Sequence, residues 1–181
     1  PGVTVDVLPP VRLVPGFIAD PGPLFDWVVQ QTPWDHRIKA RLTASFGRPY
    51  NYAGLDYPEA AMPEPLVHVC RRLEPEVGFQ PDNCLLNFYP DGHSKMGYHA
   101  DDVSELVPGT GVAIVSLGGA RPMKFRGMGD PNRRHEIVLE AGSLLYMPPE
   151  VHQAWVHGIL RCAHAEPRIS LTFRRLRGPC E

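Results

Sequence analysis

After Gly78 the chain changes from helical spacing to short runs of apolar and β-branched residues, and this change does most to limit its fold. Eight such runs follow one another, over 84–89, 95–99, 112–117, 122–125, 135–139, 143–147, 154–158 and 168–173. Each has the length of a strand and is too short for a helix, and turn-forming groups such as Pro90-Asp91-Gly92 and Pro108-Gly109-Thr110-Gly111 stand between them. The 21 prolines and 17 glycines are spread as single punctuation marks between apolar runs, so they mark turns and not a low-complexity tract. Eight short strands joined by turns predict a double-sheet jelly roll, the double-stranded β-helix.

Two helices are expected ahead of it. Asp20 before Pro21 suggests a cap for a helix whose Leu24, Trp27, Val28 and Gln31 share a face. In 63–77, Leu66, Val69, Leu73 and Val77 recur at helical intervals while Arg71, Arg72, Glu74 and Glu76 take the wet side. A further short strand is expected at 11–14. The expectation is an α+β protein in which the helices back one sheet of the roll. At 181 residues it forms one domain, with helices in 1–82 and the roll in 83–177. Cys70, Cys84, Cys162 and Cys180 show no Cys-x-x-Cys pairing, which argues for reduced, buried thiols. No apolar run approaches the about 20 residues of a membrane span, and no signal segment opens the chain. An intracellular monomer is expected, cytoplasmic or, in a eukaryote, nuclear. The chain opens on Pro1, which leaves open whether residues precede it.

The chemistry concentrates in a few positions of the roll. On a strand, side chains two apart point to one face, so His99 and Asp101 can grip one metal ion while Ala100 turns away. A second histidine completes a two-histidine, one-carboxylate set, which leaves positions on Fe(II) free for a co-substrate and dioxygen. His157, in a strand-like run, is preferred over His152, in the turn-like 148–152. The remaining histidines, His36, His68, His93, His135 and His164, sit in helical or loop-like settings and are read as ordinary. Arg168 and Arg174 share a strand face at a spacing of six, suited to a small dianion. That ligand is read as 2-oxoglutarate. Its keto-acid end would chelate the metal and its far carboxylate would take a forked pair from a guanidinium, a role given to Arg174.

From Asn83 to Leu176 the chain resembles the AlkB family of Fe(II)/2-oxoglutarate dioxygenases, which reverse alkylation damage on nucleic-acid bases. The matching strings are Leu86-Asn87-Phe88-Tyr89, His99-Ala100-Asp101-Asp102, Val115-Ser116-Leu117-Gly118 and Arg168-Ile169-Ser170-Leu171-Thr172-Phe173-Arg174. The resemblance implies iron on His99, Asp101 and His157, and co-substrate contacts from Asn87, Tyr89, Arg168, Thr172 and Arg174. Upstream, 41–47 and Tyr50-Asn51-Tyr52 resemble the family's nucleotide-recognition lid, implying substrate contacts from Arg41, Tyr50, Tyr52 and Asp102. Tyr52 and His99 would sandwich an extruded base. The implied reaction demethylates N-alkylated bases of DNA, or RNA, and releases formaldehyde, succinate and CO2. Two positions depart from the pattern. Ser170 stands where many members carry asparagine, and Val103 where they carry an acidic residue suited to cationic lesions such as 1-methyladenine and 3-methylcytosine.

With a formal charge of −2, attraction to nucleic acid must come from local patches. Arg37, Lys39 and Arg41 alternate as they would on one face of a strand, and Arg121, Lys124, Arg126, Arg133 and Arg134 form a second basic stretch. Two other functions fit the same residues: a 2-oxoglutarate oxygenase acting on a small metabolite, nucleoside or protein side chain, and a non-catalytic nucleic-acid binder.

Overall fold

The computed structural model describes residues 8–178, so Cys180 lies outside the described residues. Its helical periods fold as read from the sequence. In α1 (Gly22–Gln31) Val28 is fully buried, and in α2 (Glu64–Val77) Leu66, Val69, Cys70 and Leu73 form the inner stripe. Gly78 ends α2 in the left-handed region, φ 82°, with its N–H on the Glu74 carbonyl, a termination that glycine adopts without strain. Asp20 does not cap α1. Pro21 occupies that position with helical backbone angles, and no side chain accepts from the first turn.

Two antiparallel sheets face one another. The larger has the order β1 (Arg12–Val14), β10 (Leu144–Met147), β7 (Val112–Gly118), β12 (Arg168–Arg174), β5 (Asn83–Tyr89) and β2 (Leu42–Gly47). The smaller has the order β6 (Met96–His99), β11 (Trp155–Ile159), β8 (Arg121–Gly127) and β9 (Arg134–Leu139). A separate hairpin, β3 (Tyr50–Tyr52) with β4 (Leu55–Tyr57), pairs Tyr50 with Tyr57 and Tyr52 with Leu55. All eight expected runs of the roll are strands, with ends shifted by one or two residues. Ala154 falls instead at the end of a single helical turn, α3 (Val151–Ala154), that precedes β11.

Strand alternation divides the core in two. Ile169, Leu171 and Phe173 of β12 pack with Leu66, Val69 and Leu73 of α2 on the outer side of the large sheet. Between the sheets, Leu85, Tyr89 and Ile114 meet Met123, Phe125, Trp155 and Ile159 of the small sheet. The remaining β12 side chains, Arg168, Ser170, Thr172 and Arg174, are polar yet buried, and they stand on the face opposite Ile169, Leu171 and Phe173.

Two basic stretches differ from expectation. Residues 37–41 form bends and turns ahead of β2, so Arg37, Lys39 and Arg41 share no strand face. A local ion pair explains the turn: the Arg37 backbone N–H and side-chain Nε both donate to the Asp35 carboxylate, at 2.8 and 2.7 Å. Arg41 is turned inward and buried. In the second stretch Arg121 has no exposed surface at all. Its guanidinium lies over the Tyr89 ring and donates to the carbonyls of Asp91, Ser94 and Leu160, at 3.3, 3.1 and 2.7 Å. It therefore pins the loop before β6 to the segment after β11. Replacing it by the apolar Arg121→Met leaves three carbonyls without their donor, and we expect a loss of about 3 kcal/mol in a urea unfolding titration.

Candidate active site

The site begins where the small sheet draws two strands together. In the β6–β11 pairing, His99 stands directly opposite His157, and the register shifts immediately afterwards, between His157 and Ile159. Gly158 permits this approach, because a Cβ there would lie 2.8 Å from the Met96 carbonyl oxygen. The two imidazoles lie with centroids 4.5 Å apart. β6 ends at His99, and Asp101, two residues on, joins His99 and His157 in one cluster.

Asp101 Oδ1 lies 3.4 Å from His99 Nε2 and 3.8 Å from His157 Nε2. All three donor atoms lie within 4.8 Å of one another. Atoms sharing one metal at bonds of about 2 Å lie within about 4 Å of each other, so small adjustments suffice. The other carboxylate oxygen, Oδ2, accepts from Arg174 Nη2 at 2.6 Å, which leaves Oδ1 facing the histidines. Burial alone would raise the Asp101 carboxyl, but Arg174, His99, His157 and His152 outweigh it and hold it well below the ordinary carboxylate range. Burial pushes the His157 imidazole down to about 3, so it stays neutral and its lone pair is free for a cation. His99 is oriented by a 2.9 Å contact between Nδ1 and the Gly97 carbonyl, an arrangement typical of metal-binding histidines.

His152 is buried beside this cluster without belonging to it. Its Nδ1 accepts the Asp101 backbone N–H at 3.2 Å, so it fixes the backbone that carries the carboxylate. No sequence signal marks that role.

The predicted co-substrate residues divide into two ends. Asn87, Thr172 and Arg174 line an inner cavity with Leu85, Ile114, His99, Asp101 and His157. Arg168 lies six residues from Arg174 along β12, opposite Tyr89 in register and over its ring. Arg174 was expected to take a distant carboxylate, but its contact with Asp101 places it at the metal end. Arg168 stands at the other end of β12, away from Asp101. That guanidinium is fully buried and donates from Nη2 to Ser116 Oγ at 3.0 Å, while its Nε and Nη1 have no hydrogen-bond partner among the described residues. Burial lowers it to about 10, so it remains charged at neutral pH. Burial raises the Tyr89 hydroxyl, and Arg168, Arg41 and Arg121 offset only part of that rise. Three buried cations thus converge near one phenol, and among the described residues none of them pairs with a carboxylate.

The hairpin residues are not equivalent. Tyr52 lines both the inner cavity and an outer one of roughly 400 Å³ that also contains Arg41, Tyr50, Met96, Tyr98, His99, Asp101 and Asp102. Tyr50 is buried beneath the Arg174 guanidinium, 4.8 Å from its ring centre. Asp102 is exposed at the rim, where its carboxylate accepts the Ser104 N–H at 2.9 Å and caps the short 3-10 turn Val103–Glu105.

A jelly roll with two histidines and a carboxylate at its mouth, backed by buried arginines, is the arrangement that characterises the class of iron oxygenases with a keto-acid co-substrate. Comparison with known proteins agrees. A family model described as 2OG-Fe(II) oxygenase superfamily matches residues 28–174. The DNA oxidative demethylase ALKBH2 of Mus musculus is 38% identical over 142 residues, covering 70% of this chain and 59% of its own. The alpha-ketoglutarate-dependent dioxygenase AlkB of Salmonella typhimurium is 34% identical over 131 residues, covering 66% and 58%. The solved structure of OsALKBH1 superposes with a TM-score of 0.71 over 93% of this chain and 99% of its own, at 17% identity, a likeness of fold. The chain belongs to the 2OG-Fe(II) oxygenase superfamily and, within it, to the AlkB family. It spans little more than half the length of the ALKBH2 relatives that it matches.

The Asp101–Arg174 pair makes a prediction that separates metal binding from stability. Asp101→Ala should abolish Mn(II) binding in a calorimetric titration and, by stranding a buried guanidinium, cost about 3–5 kcal/mol of unfolding free energy even in chelator. His157→Ala should lose the metal without stranding a charge, and its unfolding curve in chelator should move less.

Proposed function

We propose that this chain is an Fe(II)/2-oxoglutarate-dependent dioxygenase that oxidatively demethylates N-alkylated bases in DNA, and in RNA as a second substrate. The observation that carries this reading is the pairing of a three-donor metal site with a buried, electropositive recess behind it. An uncompensated buried guanidinium is costly, and a dianion reaching from the metal to Arg168 removes the cost. The residues present fit both groups. His99, Asp101 and His157 would hold iron. Arg168 would take the far carboxylate, with Asn87, Tyr89, Thr172 and Arg174 as the remaining contacts.

When bound, iron and 2-oxoglutarate supply oxidation of the N-alkyl carbon by dioxygen, with succinate, CO2 and formaldehyde as the products. The protein's own part is to orient and to exclude water. Leu85, Ile114 and Met96 give the inner cavity apolar walls. Tyr52 and His99 border the outer cavity, where an extruded base would lie between them, with Asp102, Tyr50 and Arg41 around it. Lys124, Arg126 and Arg134 lie on the outward face of the small sheet, where Arg126 stacks on Tyr98 beside the cavity, a surface suited to a phosphate backbone. The relatives' names support the substrate class. The free cysteines Cys70, Cys84 and Cys162 support a reducing compartment. Among the described residues no helix is long and apolar enough to cross a membrane.

Incubation with Fe(II), 2-oxoglutarate and a 1-methyladenine oligonucleotide should lower the oligonucleotide's mass by one methylene. An unchanged mass while 2-oxoglutarate is consumed would instead point to a small-molecule or protein substrate. Oligonucleotide affinity should fall steeply with added salt, and Arg126→Glu with Arg134→Glu should flatten that dependence.

A further inference from the structure

Arg41 precedes β2 and was read as a substrate contact, yet it is buried, and its guanidinium is committed inward. Nε donates to Asn87 Oδ1 at 2.7 Å. Nη1 donates to the Lys95 carbonyl at 3.2 Å, and Nη2 donates to the Tyr52 hydroxyl. The guanidinium also lies 5.6 Å from the centre of the Tyr52 ring.

Because a guanidinium can only donate, the Asn87 atom that faces it must be the amide oxygen. The Asn87 NH2 is thereby turned the other way, and Asn87 is one of the side chains lining the inner cavity. A carboxamide left free could present either end. With the oxygen held by Arg41, the cavity receives a donor, which is what an anionic oxygen requires. The same logic fixes Tyr52. Its oxygen accepts from Arg41, so its proton is free for Met96 Sδ, 3.5 Å away.

We propose that Arg41 is a positioning residue that sets the Asn87 amide as a donor toward the co-substrate, and that it ties the same polar network to the Tyr52 wall of the outer cavity. This rests on the 2-oxoglutarate reading above. Arg41 does not itself line the inner cavity. It acts through Asn87, so its effect belongs to co-substrate affinity and not to the metal.

The test is a double-mutant cycle read by calorimetric titration of 2-oxoglutarate into Mn(II)-loaded protein. Arg41→Gln should weaken 2-oxoglutarate binding by about tenfold or more, the effect of losing a well-aimed hydrogen bond to an anionic oxygen. Mn(II) affinity should stay within about twofold, since no metal ligand is touched. Asn87→Ala should weaken 2-oxoglutarate binding comparably, and the double variant should be no weaker than Asn87→Ala alone. Additive losses would overturn the proposal, because they would mean that Arg41 acts independently of Asn87. Unchanged affinity in Arg41→Gln would overturn it as well. If that variant does not fold, Arg41→Lys keeps the charge but cannot reproduce the fork, and undiminished 2-oxoglutarate affinity there would overturn the proposal. Failure of the unaltered protein to bind 2-oxoglutarate would instead refute the co-substrate reading itself.

Discussion

The structure depends on one strand that is buried on both sides with opposite chemistry. β12 gives Ile169, Leu171 and Phe173 to the helix-covered core, and Arg168, Ser170, Thr172 and Arg174 to the other face. It is also central, paired along its length with β5 on one side and β7 on the other. Its position in the sheet is therefore doubly specified. A slip of one residue would thrust guanidinia into the apolar layer between sheet and helices, and isoleucine, leucine and phenylalanine into the polar floor. The register that this enforces sets Ser170 beside Asn87 and Ser116, and Arg168 beside Tyr89. The packing requirement that holds the sheet together thus also lays out the site.

This explains which parts of the molecule were legible in the sequence. Strand runs and the α2 stripe are local patterns, and they appear where expected because burial and period agree. The metal cluster was legible because His99 and Asp101 are near neighbours and His157 lies in the strand that pairs with β6. What the sequence could not disclose were directions set by distant partners. Arg37, Lys39 and Arg41 alternate as a strand would, but Asp35 captures Arg37 in a turn and Asn87 draws Arg41 inward. Arg121 looked like part of a basic surface, and only the meeting of two loops around it shows that its charge is used internally. The different surroundings of Arg168 and Arg174 have the same origin. Spacing places both on one face, whereas the position of Asp101 decides which of them stands at the metal.

Buried charge also shapes how the protein should respond to its ligands. Arg174 is balanced by Asp101, but Arg168, Arg41 and Arg121 are satisfied only by carbonyls, hydroxyls, an amide oxygen and aromatic faces. In a low-dielectric interior such contacts offset part of the desolvation cost of a guanidinium and leave the repulsion among the cations. A protein carrying this imbalance is less stable than its packing alone would make it. A dianion that binds only the folded form recovers the difference as binding free energy, and its occupancy stabilises the fold by mass action. The wall between the two cavities extends the argument. Tyr52, Met96, His99 and Asp101 border both spaces, so whatever orders the inner ligand also fixes the surface against which an outer one rests.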